Sequence, residues 1–387
     1  MGPSETLFGR WATLDTPPSE PGPTYHGLEA FLEAYTDWYR FYSAGKAALA
    51  DALRAMLRTR TDLGAGTKNV VLPAYVPDAV VEPMRELGLE ARYYAIEPTL
   101  APDRSDLERL VDERTIALVT INYFGFAPSG LDDVAAIADE AGCYHVDDNA
   151  HAPFSVHEDK LLGTVGDAGI TSLWKALPIP NGAVLYLSNE RLRRAYEPSP
   201  FAGVRSNFDT GDARFVCKTV LEDLVDANQL LRESVDAVVS NVVDDTPPSP
   251  GQRYESGKRR MSKLASLYCL GIDPTRIRRR RRERYRAWVS ALSSDDVRPL
   301  FPTLPDGTCP QSVPVYAESP AAFRRALSRL GLDGVHTWPR LPRDVSVSSR
   351  HETARRYATH VFALPVATDV DTNQIRQIGR ELATARE

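Results

Sequence analysis

The apolar positions of this chain change period again and again. AALADALRAMLRTR carries them at helical spacing, NVVLPAY is a short continuous apolar run, and AVVEPMRELGL returns to helical spacing. The alternation continues through strand ARYYAI, helix SDLERLVDE, strand TIALVTINYF, helix LDDVAAIADEAG and strand CYHVDD. Strands separated by helices must be joined by crossovers, so the pattern predicts an α/β fold with a mostly parallel sheet.

Two stretches interrupt the alternation. Residues 1–25 are rich in Pro, Gly, Ser and Thr and read as an extended arm without a core of its own. After a long helical stretch around Thr219 to Val243, the cluster VVDDTPPSPGQRYESG marks a boundary. The expected division is therefore an arm over 1–25, a large domain over 26–245 and a smaller α/β domain over 246–387. That last part holds a charged helix, a strand at SVPVYAES, a helix AAFRRALSRLG and a final helix after LPVATDVD. No internal repeat is visible.

Composition narrows the function without naming it. The chain has 387 residues, enough to bury a large core, and its 46 basic against 52 acidic residues leave a formal net charge of -6. Nothing in that balance points to nucleic acid. One local exception is the run Arg278 to Arg282 with Arg276, Arg284 and Arg286 beside it. On a helix these side chains spread over all faces, with Ile277, Tyr285 and Trp288 marking the buried stripe, so a solvated charged face is expected. Cys143, Cys217, Cys269 and Cys309 form no C-x-x-C pair, which suggests neither a zinc site nor a disulfide framework. No apolar run approaches the ~20 residues of a membrane span, and the start lacks a basic segment followed by an apolar one. The cytoplasm, with reduced thiols, is the expected location.

Ligands of open parallel sheets bind at the carboxyl ends of the strands, and three places there carry chemistry. In YSAGKAALADAL, Gly45 and Lys46 open a helix whose unpaired N–H groups and positive dipole end suit a phosphate. In HVDDNAHA two acids follow an apolar run, and because side chains alternate along a strand only one of Asp147 and Asp148 can face a ligand from the sheet edge. An acid facing a pyridine nitrogen keeps it protonated, roughly 5 kcal/mol at ~3 Å and an effective dielectric of ~20, although helix or turn capping is the plainer use of such acids. In GDAGITSLWKALPIPNGAVLYLSN, Lys175 is a lone lysine in apolar surroundings between two strand-like segments. It is either a snorkelling surface residue or an amine made neutral by burial and able to form a Schiff base with a carbonyl.

Together these segments resemble the DegT/DnrJ/EryC1/StrS family of sugar aminotransferases from about Ser43 to the last helix. YSAGKAAL is similar to its phosphate segment, VVLPAY to a following strand, INYFGFAPSGLDDVAAIADEAGCYHVDDNAHA to the stretch ending in an acid and a His or Gln, and GDAGITSLWK to the segment bearing the cofactor lysine. The resemblance implies an aspartate-aminotransferase-like fold (fold type I) and pyridoxal 5'-phosphate as cofactor. It makes Lys175 the Schiff-base lysine and proton carrier, Asp148 the partner of the ring nitrogen, and His151 the contact of the ring hydroxyl. Ser172, Gly45 and Lys46 become phosphate ligands. GKRRMSK resembles a segment whose Asn reaches the phosphate across a subunit interface; here Lys258 stands at that Asn and Arg260 at the motif's Arg. Tyr75 and Asn122 sit at strand ends with no role assigned. A homodimer with shared sites is implied, acting on an amino-acid donor and a keto or aldehyde acceptor that is a sugar or natural-product intermediate.

The chain also departs from the family pattern. The stretch between Ser172 and Lys175 is two residues shorter, PIPNGA replaces a G-E-G-G turn, and the late L-P-x-H reads Leu364, Pro365, Val366, Ala367. These differences point to a divergent branch. Because the ring stabilises the carbanion while the pocket chooses the bond that breaks, decarboxylation, cyclisation or elimination stays open beside transamination.

Overall fold

The computed structural model describes residues 25–61, 66–227, 248–292, 296–332, 334–367 and 371–384. The expected arm therefore lies outside the described residues except for residue 25, as do residues 228–247, where the helical stretch was to end.

The first part of the chain runs α1 (Leu28–Glu33), β1 (Tyr39–Tyr42), α2 (Gly45–Thr59), β2 (Asn69–Pro73), α3 (Glu82–Glu86), β3 (Glu90–Tyr94), α4 (Arg104–Leu110), β4 (Thr115–Ile121), α5 (Leu131–Glu140) and β5 (Tyr144–Asn149). A small hairpin of β6 (Val156–His157) and β7 (Lys160–Leu161) follows, then β8 (Ala168–Ser172), β9 (Ala183–Leu187), α6 (Glu190–Ala195) and α7 (Thr210–Ala227). Seven strands form one sheet in the order β1-β9-β8-β5-β4-β2-β3. The pairs from β8 through β3 are parallel, and β9 is antiparallel to both its neighbours. Every residue of β2, β4, β5, β8 and β9 is buried, as a sheet covered on both faces requires. The alanine-rich α2 can lie close against the sheet, and it buries eleven of its residues, Gly45 and Asp51 among them.

The predicted strand TIALVTINYF stops at Ile121, because Tyr123–Gly125 turn into a short 3-10 helix and Phe124 takes a left-handed backbone at φ 56°. That stop leaves Asn122 and Phe124 at the strand end instead of inside the sheet. The order of strands also reverses here: β3 lies on one side of β2 and β4 on the other, and this switch point opens a crevice at the carboxyl edge.

The second part contains α8 (Pro250–Ser256), α9 (Lys263–Leu270), α10 (Pro274–Ala291), β10 (Val297–Pro299), β11 (Ser312–Ala317), α11 (Pro320–Arg329), α12 (Arg343–Val347), α13 (Glu352–His360), β12 (Val361–Pro365) and α14 (Thr372–Thr384). An antiparallel sheet, β10-β11-β12, packs against α10 and α13. The helices α8 and α9 pack back on α3 and α1, and α10 is the first element to join the smaller sheet. A satellite apolar cluster of Phe31, Phe154, Leu173, Leu177, Ile179 and Met261 lies around the turn that follows β8. Among the described residues no helix is long and apolar enough to cross a membrane.

The arginine-rich helix differs from its expected solvated face. Tyr285 and Trp288 are buried as anticipated, but so are Arg276, Arg281 and Arg282. Arg282 donates to the carbonyl of Thr308 at 3.2 Å and to Asp306 Oδ1 at 3.2 Å, and also bonds the Pro305 carbonyl. Buried guanidinium groups persist when carbonyl oxygens satisfy them, and an irregular segment following the helix supplies those oxygens.

Candidate active site

The carboxyl ends of β2, β4, β5 and β8 bring together residues far apart in sequence. Asp147 and Asp148 separate as strand alternation demands. Asp147 Oδ1 accepts from Asn122 Nδ2 at 2.6 Å, and its Oδ2 accepts from the backbone N–H of Gly163 at 2.6 Å and Val165 at 3.2 Å. Burial pushes its carboxyl up, His145 and these donors pull it back, and its lone pairs are committed to the fold. Asp148 faces the other way, and its carboxylate accepts only from the N–H of Ala150, at 2.9 Å. Burial raises it to about 6, against the pull of the Ala150 bond and Lys175.

Lys175 closes the short turn Leu173–Lys175 directly after β8. The residue as a whole is half-buried, and its amine makes no hydrogen bond or ion pair among the described residues. Burial lowers it to about 8, with Asp148 opposing and Lys46 adding to the shift. A lysine at that value spends an appreciable fraction of time neutral near pH 7–8, as a nucleophilic amine must.

His151 is buried, and its Nδ1 accepts from the Phe124 N–H at 3.2 Å. Burial and then Lys175 hold it well below the ordinary histidine value, so it is neutral with its proton on Nε2. Phe124 presents that N–H from a backbone conformation which costs a non-glycine residue about 1–2 kcal/mol. Gly125, at φ 104°, could carry no side chain, since a Cβ would meet the Cys309 carbonyl oxygen at 2.5 Å.

The helix α2 begins at this same edge. Its N-cap Ala44 offers no side-chain cap and its first turn has no acid, so the first N–H groups are open to an anion. A Cβ on Gly45 would lie 3.1 Å from Ser172 Oγ, so the missing side chain lets the hydroxyl approach the helix end. Lys46 is half-buried there, and burial, then Arg253, lowers its amine.

Lys258 sits differently. The carbonyl of Gly257 accepts from Ser43 Oγ at 2.7 Å, so the backbone of this segment lies beside the start of α2. The Lys258 side chain, however, bonds Glu255 at 2.6 Å and Glu86 at 2.7 Å and rests 4.4 Å above the Tyr254 ring. Arg260 is exposed and donates to the Pro200 carbonyl at 3.1 Å.

Two groups at the site escaped the sequence reading, and a third, Asn122, figures in it at a strand end without a role. Trp338 reaches over from the second part of the chain, 4.7 Å from the His151 ring and 5.3 Å from that of Tyr75, whose hydroxyl bonds the Trp338 carbonyl. Arg281 bonds the carbonyl next to Lys175. Asn122 keeps its Oδ1 buried without a partner. Asn122 follows an apolar run at a strand end and Arg281 lies within the arginine run, whereas Trp338 carried no signal.

The family model described as the DegT/DnrJ/EryC1/StrS aminotransferase family matches residues 13–205. Over those residues the chain belongs to this family. Among curated proteins it is similar to the spore coat polysaccharide biosynthesis protein SpsC of Bacillus subtilis, 33% identical over 98 residues, which is 25% of this chain and 25% of that protein. An uncharacterized Methanocaldococcus jannaschii protein, MJ1066, is 29% identical over 89 residues, 22% of this chain and 23% of its own length. These matches thus span about a quarter of each curated relative. Solved structures agree over far more of the fold. Helicobacter pylori PseC, an aminotransferase involved in the biosynthesis of pseudoaminic acid, superposes with a TM-score of 0.62 at 14% identity, covering 99% of this chain and 98% of that one. A DegT/DnrJ/EryC1/StrS aminotransferase of Brucella abortus gives 0.57 at 17% identity, covering 90% of this chain and 86% of that one. The fold is that of the fold-type I aminotransferases.

Proposed function

We propose that this protein is a pyridoxal-phosphate-dependent aminotransferase that moves an amino group from an amino-acid donor to a keto or aldehyde acceptor of a sugar or natural-product type. The observation that carries the proposal is the pairing of Lys175 and Asp148. Both are withdrawn from water at adjacent strand ends and feel each other electrostatically, and the only hydrogen bond either makes through its charged group among the described residues is that of Asp148 with the Ala150 N–H.

The groups around them fit the cofactor's parts. The open N–H groups of Gly45 and Lys46, the Ser172 hydroxyl and the Lys46 amine suit a phosphate. Asp148, with one hydrogen bond spent, has acceptor capacity for a protonated pyridine nitrogen. His151 Nε2–H would donate to the ring oxygen, and Lys175 would supply the amine that holds the group. When bound, pyridoxal phosphate supplies an electron sink for a carbanion. Asp148 keeps the negative charge that makes the sink effective, and Lys175 Nζ, titrating near 8, takes up and returns the proton at the substrate carbon.

A second copy of the chain belongs to this proposal. Trp174, next to Lys175, leaves 49% of its surface exposed, and Leu267 and Leu270 on α9 are exposed as well. In a homodimer Lys258 would serve the phosphate of the neighbouring site, exchanging Glu86 and Glu255 for that anion.

Mixing the cofactor-loaded protein with amino acids tests the reaction. An amino donor should bleach the visible band and a carbonyl acceptor should restore it. A loaded protein that releases carbon dioxide or ammonia, and never regains its band with any acceptor, would replace transamination by decarboxylation or elimination.

A further inference from the structure

The arginine-rich helix has no part in the chemistry above, yet one of its side chains reaches the turn of Lys175. Arg281 is 5% exposed. Its Nη1 donates to the carbonyls of Pro310 at 3.1 Å and Gln311 at 3.2 Å, and its Nη2 donates to the carbonyl of Ala176 at 3.1 Å. Ala176 follows Lys175 directly and ends its turn, with its N–H bonded to the Leu173 carbonyl at 2.9 Å.

The other end of the bridge leads to the remaining site residues. The Gln311 N–H donates to the Phe124 carbonyl at 2.8 Å, and the Phe124 N–H donates to His151 Nδ1 at 3.2 Å. Two residues earlier in the same turn, the Asn122 N–H donates to the Asp148 carbonyl at 3.0 Å. A continuous hydrogen-bonded path therefore runs from the Lys175 turn through Arg281 and Gln311 to His151 and, along the turn of Phe124, to Asp148.

We propose that Arg281 is a positioning residue for Lys175, fixing its turn at a set distance from the Asp148 and His151 edge by clamping the Ala176 carbonyl to residues 310–311. The assignment builds on the proposed function, which gives Lys175 its role. Arg281 acts through geometry: burial, Asp148 and Lys46 set the electrostatics of the Lys175 amine, and Arg281 is not among these causes. A planar guanidinium can span three carbonyls in one fixed fork, which the single ammonium of a lysine cannot do. Loosening the clamp would let the turn move outward and water reach the amine.

The neighbouring Arg282 is an internal control, because it is buried on the same helix and bonds Thr308 and Asp306 without touching the lysine turn. The experiment uses the full chain freed of cofactor. Lys175 is acetylated competitively with acetic anhydride across pH 6–11, and its extent of labelling is read by peptide mass spectrometry for the wild type, Arg281→Gln, Arg281→Lys and Arg282→Gln. Thermal melting of each variant is recorded alongside. Arg281→Gln should move the midpoint of Lys175 labelling upward from about 8 by about one pH unit, toward the ordinary lysine value. Arg281→Lys should recover part of that shift, and Arg282→Gln should leave the midpoint in place even where it lowers the melting temperature equally. An unmoved midpoint in both Arg281 variants, or an equal movement in Arg282→Gln, would overturn the assignment. The proposed function stands or falls separately, on whether pyridoxal phosphate attaches to Lys175 in the wild type.

Discussion

The carboxyl edge of the large sheet and the helix α10 both bury charge, and they do it in opposite ways. On α10, Arg281 and Arg282 are buried with oxygens of residues 176 and 305–311 accepting from both terminal nitrogens of each. At the sheet edge the Lys175 amine has no partner, the Asn122 Oδ1 is orphaned, and the start of α2 is uncapped, all among the described residues. Burial of a polar group is costly unless it is bonded, so satisfied burial marks architecture and unsatisfied burial marks a place kept ready for a ligand. The two adjacent acids repeat the contrast at smaller scale: Asp147 is saturated with donors and Asp148 is not.

Substitution at those two acids gives the largest expected effect. On the proposed function, Asp148→Asn removes the charge assigned to the ring nitrogen of the cofactor and should lower turnover at least about a hundredfold while the fold survives. Asp147→Asn should cost about 1–3 kcal/mol of stability, because its N–H donors lose their anion, and should affect turnover far less. Steady-state rates and melting curves for the pair separate the outcomes. Equal losses of turnover would mean that the two faces of β5 are not divided as described.

A smaller effect, but one of opposite sign at the two regions, comes from removing the cations. Arg282→Met leaves buried carbonyls without donors and should destabilise the protein by about 2–4 kcal/mol. Lys175→Met, measured without cofactor, should stabilise it by about 1–2 kcal/mol at pH 7. The sign follows from the proton count. The amine falls from 10.5 unfolded to about 8 folded, so between those values the unfolded chain binds more protons and wild-type stability rises with pH. Below about 8 the full penalty of a buried cation is present, and there the gain from Lys175→Met is greatest. That gain should fade as pH climbs toward 10.5. Denaturant titrations at pH 7 and pH 10 read both; a destabilising Lys175→Met at pH 7 would break the contrast.

The difference between the regions also explains what the sequence could reveal. Helical and strand-like periods are local, so alternating segments were enough to expect a parallel sheet with its ligand edge. Asp148, His151, Ser172 and Lys175 are singled out by their order in motifs resembling a known family, and the strands that end at Asn149 and Ser172 carry them to one edge of the sheet. Arg281 was not, since it is one of five identical neighbours from Arg278 to Arg282, and only the path of residues 305–311 distinguishes it. Trp338 arrives from the second part of the chain through long-range packing that no short window contains. Lys258 was matched to a motif position, but its partner Glu86 lies on α3, far away in sequence, and charge pairing at that distance leaves no local pattern.

The most direct test of the central claim is the covalent capture of the cofactor. The purified protein, incubated with pyridoxal phosphate near neutral pH, should turn yellow, and borohydride should fix the label on the peptide that contains Lys175. Lys175→Ala should take up no label there. A reduced adduct on another lysine, or none on any peptide, would contradict the account.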